Sequence, residues 1–264
     1  MINPATEEVC GTINLGNKKD VDRAVDAARS AFTSYSKTTK AERIDLLESI
    51  ITSYEKRIPD IAAAVGTEIG APLELATSIH ANRALHTFGH IAETLKTYEF
   101  HRPLGSTGIV REPIGVCGLI TPWNVPIEIL VNKMAPALAA GCTIVAKPSE
   151  LAPLSVIILT EVLDDAGVPK GVFNLVNGDG PTVGQAIAEH SDIDMVSFTG
   201  STRAGILVAK AAADSVKRVH QELGGKSANI ILPDADIDQV AGAGLIRCFL
   251  AGGQSCQSPT RMLV

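Results

Sequence analysis

The chain has 264 residues, 45% of them apolar and 20% charged, with 23 Lys and Arg against 29 Asp and Glu for a net charge of −6. That balance excludes a disordered chain and disfavours a nucleic-acid partner, which requires a basic face. No apolar run reaches membrane-spanning length and no basic-then-apolar leader opens the chain, so a cytoplasmic protein without a membrane partner is expected.

The N-terminal part reads as helical. Asp20 is expected to cap a helix that carries Val21, Ala24, Val25, Ala28 and Phe32 at helical spacing. A second helix follows Thr39 through Leu46, Leu47, Ile50 and Ile51. Pro59 suits the first turn of a third helix, Gly70 its C-terminal stop, and a further helix is expected over 72–97. From residue 114 the pattern changes to short β-branched runs at 114–120, 143–147, 172–176, 195–198 and 216–220. Helical stretches near 126–140, 153–166, 181–189 and 202–213 separate them. Continuous apolar strands alternating with helices imply a doubly wound parallel sheet covered on both faces, of the dinucleotide-binding type. A strand at 229–232 and a helix at 236–250 then begin another α/β unit.

Cysteines Cys10, Cys117, Cys142, Cys248 and Cys256 form no CxxC pair, which argues against a disulfide framework or a zinc site. His80, His86 and His90 lie close in sequence, but no Cys or carboxylate cluster completes a shell, so no metal is expected. The segment FLAGGQSCQSPTR at 249–261 runs from a helix into glycines and Cys256. A cysteine on such a turn is either an exposed nucleophile or one more small hydrophobe. HQELGGKSANI at 220–230 places Glu222 at a strand end, as a general base or a solvated carboxylate. In LITPWNVP at 119–126, Pro122 and Pro126 stiffen a loop that offers the amide of Asn124 to an oxyanion, or to an Asx turn. AKPSE at 146–150 offers Lys147 and Glu150 either as a ribose clamp or as a surface ion pair. FTGSTRAG at 198–205 opens a helix, where Gly200 and Ser201 would turn backbone N–H groups toward a pyrophosphate. NGDGPTVG at 177–184, containing Gly180, is a cofactor-facing loop or a turn.

Taken in order, INPATEEV at the start, PWN at 122–124, KPSE at 147–150, FTGS at 198–201, ELGGK at 222–226 and GQSC at 253–256 resemble the signature segments of the aldehyde dehydrogenase superfamily. The resemblance implies a Rossmann-like cofactor-binding domain with N-terminal helices and the start of a second, catalytic α/β domain. It divides the chain into helices at 1–97, an oligomerisation-type β segment at 98–113, an NAD-binding sheet at 114–223 and the start of the catalytic domain at 224–264. It implies Cys256 as nucleophile, Glu222 as general base, and Asn124 with the Cys256 N–H as oxyanion hole. Ile120, Thr121, Trp123, Lys147, Ser149, Glu150, Gly180, Phe198, Gly200, Ser201 and Leu223 are implied as cofactor contacts. The implied cofactor is NAD, with NADP disfavoured by Glu150; the implied partners are an aldehyde and further copies of the chain. The family usually carries Asn within FxNxGQxC where this chain has Ala251, and family members run to nearly twice this length. A truncated, inactive nucleotide-binding fragment and a coenzyme A-acylating semialdehyde dehydrogenase are the alternative readings. For a chain that stops at Val264, little turnover is expected.

Overall fold

The computed structural model describes residues 1–264. Helix α1 (Lys18–Tyr35) opens with a capping box in which Asn17 is the N-cap and Asp20 bonds back to its N–H at 2.8 Å. This corrects the expectation for Asp20. A carboxylate three residues into the helix serves the N-cap's own donor, while the Asn17 side chain accepts the orphan Lys19 N–H. Helix α2 (Lys40–Ile69) begins with a second capping box, Thr39 and Glu42, and ends at Gly70 in the left-handed conformation. Pro59 starts no new helix: it sits inside α2. A proline there forfeits one backbone bond. Buried Tyr54, Ile61, Ala62 and Val65 on both sides of it hold the helix straight through by tertiary packing.

The expected helix over 72–97 is three pieces: α3 (Leu73–Leu75), a π-helical segment (Ala76–Ala81) and α4 (Asn82–Thr97). An exposed antiparallel hairpin follows, of β1 (His101–Leu104) and β2 (Thr107–Val110). The main sheet then forms from β3 (Val116–Ile120), β4 (Thr143–Lys147), β5 (Phe173–Leu175), β6 (Met195–Gly200) and β7 (Arg218–Leu223). Its order is β5-β4-β3-β6-β7 and every pairing is parallel. The intervening helices are α5 (Pro126–Ala140), α6 (Leu154–Asp165), α7 (Gln185–Glu189), which follows a π-helical turn at Gly180–Gly184, and α8 (Thr202–Ala213). Val216 lies outside β7, 90% exposed and with φ at +52°. The apolar run at 216–220 is therefore a turn followed by strand.

Alternate residues of the strands feed two cores. Cys117, Leu119, Ile144 and Ala146 join α2, α4, α5 and α6 on one face. Val116, Ile120, Val145, Val196 and Phe198 join α1, α7 and α8 on the other. Winding from β3 to β5 on one side and from β6 to β7 on the other makes β3 the switch point. Ligand crevices open above the C-terminal strand ends at such a point. The rest of the chain forms a small parallel pair, β8 (Ala228–Ile230) with β9 (Arg261–Leu263), and α9 (Ile237–Phe249), which has no buried residue.

One long-range contact locks the helical layer. Glu68 near the end of α2 is 4% exposed and accepts the Leu154 N–H at 2.6 Å, satisfying the start of α6. Burial pushes its carboxyl up to about 7, against hydrogen bonds from Ser155 and Leu154 that favour the charge. A raised carboxyl adds stability at low pH, and that contribution is lost as pH rises from its ordinary 4.5 to about 7. Glu68→Gln, which keeps an acceptor oxygen but cannot ionise, should remove a fall on the order of 3 kcal/mol across that range. Urea unfolding of both proteins at several pH values measures it. Identical pH slopes would refute the assignment.

Candidate active site

At the C-terminal edge of the sheet, three separate segments converge. The loop after β3 turns through Pro122 to Asn124, and Pro126 then starts α5. The end of β7 alternates, with His220 and Glu222 on its open face and Val219, Gln221 and Leu223 half-buried on the other. The segment after α9 makes a tight turn (Leu250–Gly253) and delivers Gln254, Ser255 and Cys256. All three face one cleft of about 900 Å³, whose lining includes Asn124, Glu222 and Cys256 together.

The turn before Cys256 places Ala251, Gly252 and Gly253 all at positive φ, of +52°, +64° and +77°. Glycine takes that region freely and asparagine more readily than alanine. Ala251 therefore occupies, at a steric cost of roughly 1 kcal/mol, a conformation to which the family's usual Asn is better suited. Two side chains hold the following stretch. Asn124 donates its Nδ2–H to the Gln254 carbonyl at 2.8 Å, and Lys226 donates to the Ser255 carbonyl at 2.8 Å. The Oδ1 atom of Asn124 is buried without a partner.

Cys256 is half-buried, and its thiol lies above its ordinary range, first through burial and then through the neighbouring Glu222 carboxylate. The thiol therefore lies beside a carboxylate able to take its proton. Lys133 of α5 lies on the same cleft and donates to Ser197 Oγ at 2.9 Å. Ser197 in turn contacts His220 Nδ1 at 3.2 Å, as its direct partner across the β6–β7 register. Burial pulls the Lys133 ammonium down to about 8, and the charge of Glu222 opposes that shift. Lys133, Ser197 and His220 are functional candidates that sequence reasoning missed. Lys133 falls one helical turn after Ile129, but nothing in the sequence says that its ammonium reaches Ser197 on β6.

Of the expected cofactor residues, Trp123 lines the same cleft, whereas the others lie outside its lining. Ile120, Thr121, Ser149 and Phe198 are buried at or just beyond strand ends. Lys147 is 3% exposed and sends its ammonium to the carbonyls of Gly178 and Pro148, at 2.6 and 2.7 Å, and to Glu150 at 3.2 Å. It thereby ties the loops after β4 and β5 together, leaving Glu150 half-exposed beside it. Ser201 caps α8 by accepting the Ala204 N–H, and Gly180 begins the π-helical turn before α7. A Cβ on Gly200 would stand 2.5 Å from the Phe198 ring, so only glycine fits the approach to α8. Leu223 packs over Gly205 of the same helix. A half-exposed carboxylate near one loop and the N-terminus of a 12-residue helix after β6, where Ser201 takes only the Ala204 N–H, suit a ribose and a pyrophosphate.

The comparisons with known proteins agree with this architecture. The profile of the aldehyde dehydrogenase family matches residues 1–264. A Pseudomonas 3-succinoylsemialdehyde-pyridine dehydrogenase is 55% identical over 100% of this chain and 56% of its own. A mutant of aldehyde dehydrogenase C from Pseudomonas syringae, in complex with NAD+ and octanal, superposes with a TM-score of 0.97 at 51% identity over 99% of this chain and 54% of that one. An NAD+ complex of a Bacillus cereus aldehyde dehydrogenase gives a TM-score of 0.94 at 38% identity, over 99% of this chain and 54% of that one. The chain thus spans about half the length of the relatives it matches.

The influence of Glu222 on the Cys256 thiol makes a directional prediction. Because the carboxylate holds the thiol up, Glu222→Gln should move the pH dependence of Cys256 alkylation to lower pH. Mass-spectrometric iodoacetamide labelling across pH reads this directly. A midpoint that stays put or rises would show that Glu222 does not control the thiol.

Proposed function

Because this chain belongs to the aldehyde dehydrogenase family, we propose that it carries the nucleophile, the general base, the oxyanion donors and the cofactor platform of an enzyme that oxidises an aldehyde to a carboxylic acid with NAD. The observation that carries this reading is the convergence of Cys256, Glu222 and Asn124 on one cleft from three separate segments. In sequence, residues 1–97 and 114–223 serve the cofactor-binding unit and 224–264 begin the catalytic one. The exposed hairpin within 98–113 serves assembly of like chains in the cytoplasm.

Glu222 accepts the thiol proton, and the Cys256 sulfur attacks the aldehyde carbon to give a tetrahedral thiohemiacetal. The Asn124 side-chain N–H and the Cys256 backbone N–H stabilise its oxyanion, in a cleft where such donors act strongly. The bound nicotinamide cofactor supplies the hydride acceptor. Cys256 then holds the acyl group as a thioester; Glu222, having passed the thiol proton to bulk water, removes a proton from the water that attacks it, releasing the acid and the thiolate. A carboxylate adjacent to the nucleophile favours hydrolysis over transfer to coenzyme A. Gly200 and Ser201 at the start of α8 hold the pyrophosphate. Glu150, anchored through Lys147, accepts from the ribose hydroxyls, and its charge disfavours a 2′-phosphate. Ile120, Thr121, Trp123, Ser149, Gly180, Phe198 and Leu223 complete the cofactor's walls. A purely nucleotide-binding role would leave the contact between Cys256 and Glu222 unused.

Among the five cysteines, Cys256 should be alkylated first by limiting iodoacetamide in folded protein: Cys117 and Cys142 are buried, and of the half-buried Cys10, Cys248 and Cys256 only Cys256 has a carboxylate beside it to take the thiol proton. Preferential labelling of any other cysteine would remove the nucleophile from this reading. In the intact enzyme Asn124→Ala should lower kcat about a hundredfold or more. A change in KM alone would show that the amide only shapes the loop. Wild-type protein should bind NAD more tightly than NADP, and Glu150→Gln should narrow the gap; calorimetric titration with both nucleotides checks it.

A further inference from the structure

The turn that delivers Cys256 is closed by Gln254. This residue donates its backbone N–H to the Ala251 carbonyl at 3.2 Å and its side-chain Nε2–H to the same oxygen at 3.0 Å. Its own carbonyl accepts the Asn124 Nδ2–H at 2.8 Å. Ala251, Gln254 and Asn124 all line the cleft, and none of them belongs to either hydrophobic core. One residue thus joins the turn to the loop after β3.

Closure is needed because the backbone of the turn is strained. Ala251, Gly252 and Gly253 hold positive φ in succession, and of these only Ala251 carries a Cβ. At such a φ an L-residue is disfavoured by about fivefold against its ordinary conformations. Packing does not offset that cost: Ala251 is exposed, and α9 before it has no buried residue. A hydrogen bond shifts an equilibrium by a similar factor of about five, so the Gln254 amide balances the strain at Ala251. Only the side-chain bond depends on the identity of residue 254, since any residue but proline supplies the backbone N–H.

We propose that Gln254 is a positioning residue: by clamping the strained turn at Ala251, it holds Asn124 and Cys256 in register as oxyanion donor and nucleophile. This rests on the reading of those two residues given above. The argument runs through the Gln254 carbonyl. A side-chain amide has two N–H donors. With one of them on the Gln254 carbonyl, the Asn124 amide is restrained from rotating, and its second N–H stays available to an oxyanion. Cys256 follows Gln254 by two residues, so the carbonyl that restrains the donor also sets the start of the segment that carries the sulfur. When the turn opens, the carbonyl withdraws, and donor and nucleophile lose their common reference. Displacements of about 1 Å at a reacting centre cost on the order of a hundredfold in rate.

Two substitutions test this on the chain itself. Gln254→Met keeps the bulk of the side chain and removes its donor, while Ala251→Gly removes the strain and keeps the carbonyl. Proton exchange between water and the Asn124 side-chain amide, followed by NMR and assigned by its loss in Asn124→Ala, reports how often the bond to Gln254 opens. Gln254→Met should speed that exchange about fivefold, and Ala251→Gly should slow it by a similar factor. The double variant should return to within about twofold of wild type, since the two effects offset each other. Melting temperature should stay constant throughout, because neither residue is part of a core. Exchange that ignores Gln254→Met, or that Ala251→Gly fails to slow, would overturn the clamp. A melting transition that falls with Gln254→Met would do the same, since exchange would then track general loosening. Failure of the catalytic reading is seen separately, as preferential alkylation of another cysteine in the wild-type chain.

Discussion

The position of β3 between β4 and β6 is the constraint from which the site follows. A parallel strand requires a crossover to reach its neighbour, and right-handed crossovers keep successive helices on one face for as long as the winding direction is kept. Reversal at β3 sends α5 and α6 to one face and α8 to the other. It also leaves the loops after β3 and β6 splayed apart at the same edge of the sheet. Asn124 and the Gly200–Ser201 turn therefore lie at that edge although their sequences share no feature. Every later contribution, from Glu222 on β7 to the Cys256 segment, is placed against this fixed edge.

The second determinant is charge held in partly desolvated surroundings. Cys256 has its thiol raised, Lys133 has its ammonium lowered, and Glu222 influences both. These shifts point one way: the resting site stores the proton on sulfur, with an acceptor carboxylate beside it. Such a thiol is less prone to stray oxidation than a standing thiolate.

Residues 224–264 behave differently from the rest. Leu245, Ile246 and Phe249 of α9 are each more than 60% exposed, and the β8–β9 pair carries exposed Ile230, Met262 and Leu263. A helix with no buried side chain lacks the packing from which most helical stability in proteins comes. The segment that presents Cys256 is thus tied to the larger unit by a discrete bond, from Asn124 to the carbonyl of Gln254, more than by a shared core.

Much of this was legible in the residues alone. Strands at 143–147 and helices at 126–140 and 202–213 fall where periodicity and caps put them, because each depends on a local pattern of burial. The order of PWN, KPSE, FTGS, ELGGK and GQSC likewise identified the family before any coordinate was known. Other features were not legible. Pro59 reads locally as a helix start, and only packing of α2 on both sides of it decides otherwise. The π-helical segment Ala76–Ala81 and the capture of α6 by Glu68 from 86 residues away have no local signature. Nor does the chain from Lys133 through Ser197 to His220. Sequence determines such elements where the deciding contacts lie within a helical turn or a strand's alternation. Partnerships across the fold are decided only when distant groups are buried together, since burial then forces each polar atom to find whichever partner the tertiary structure has put within reach.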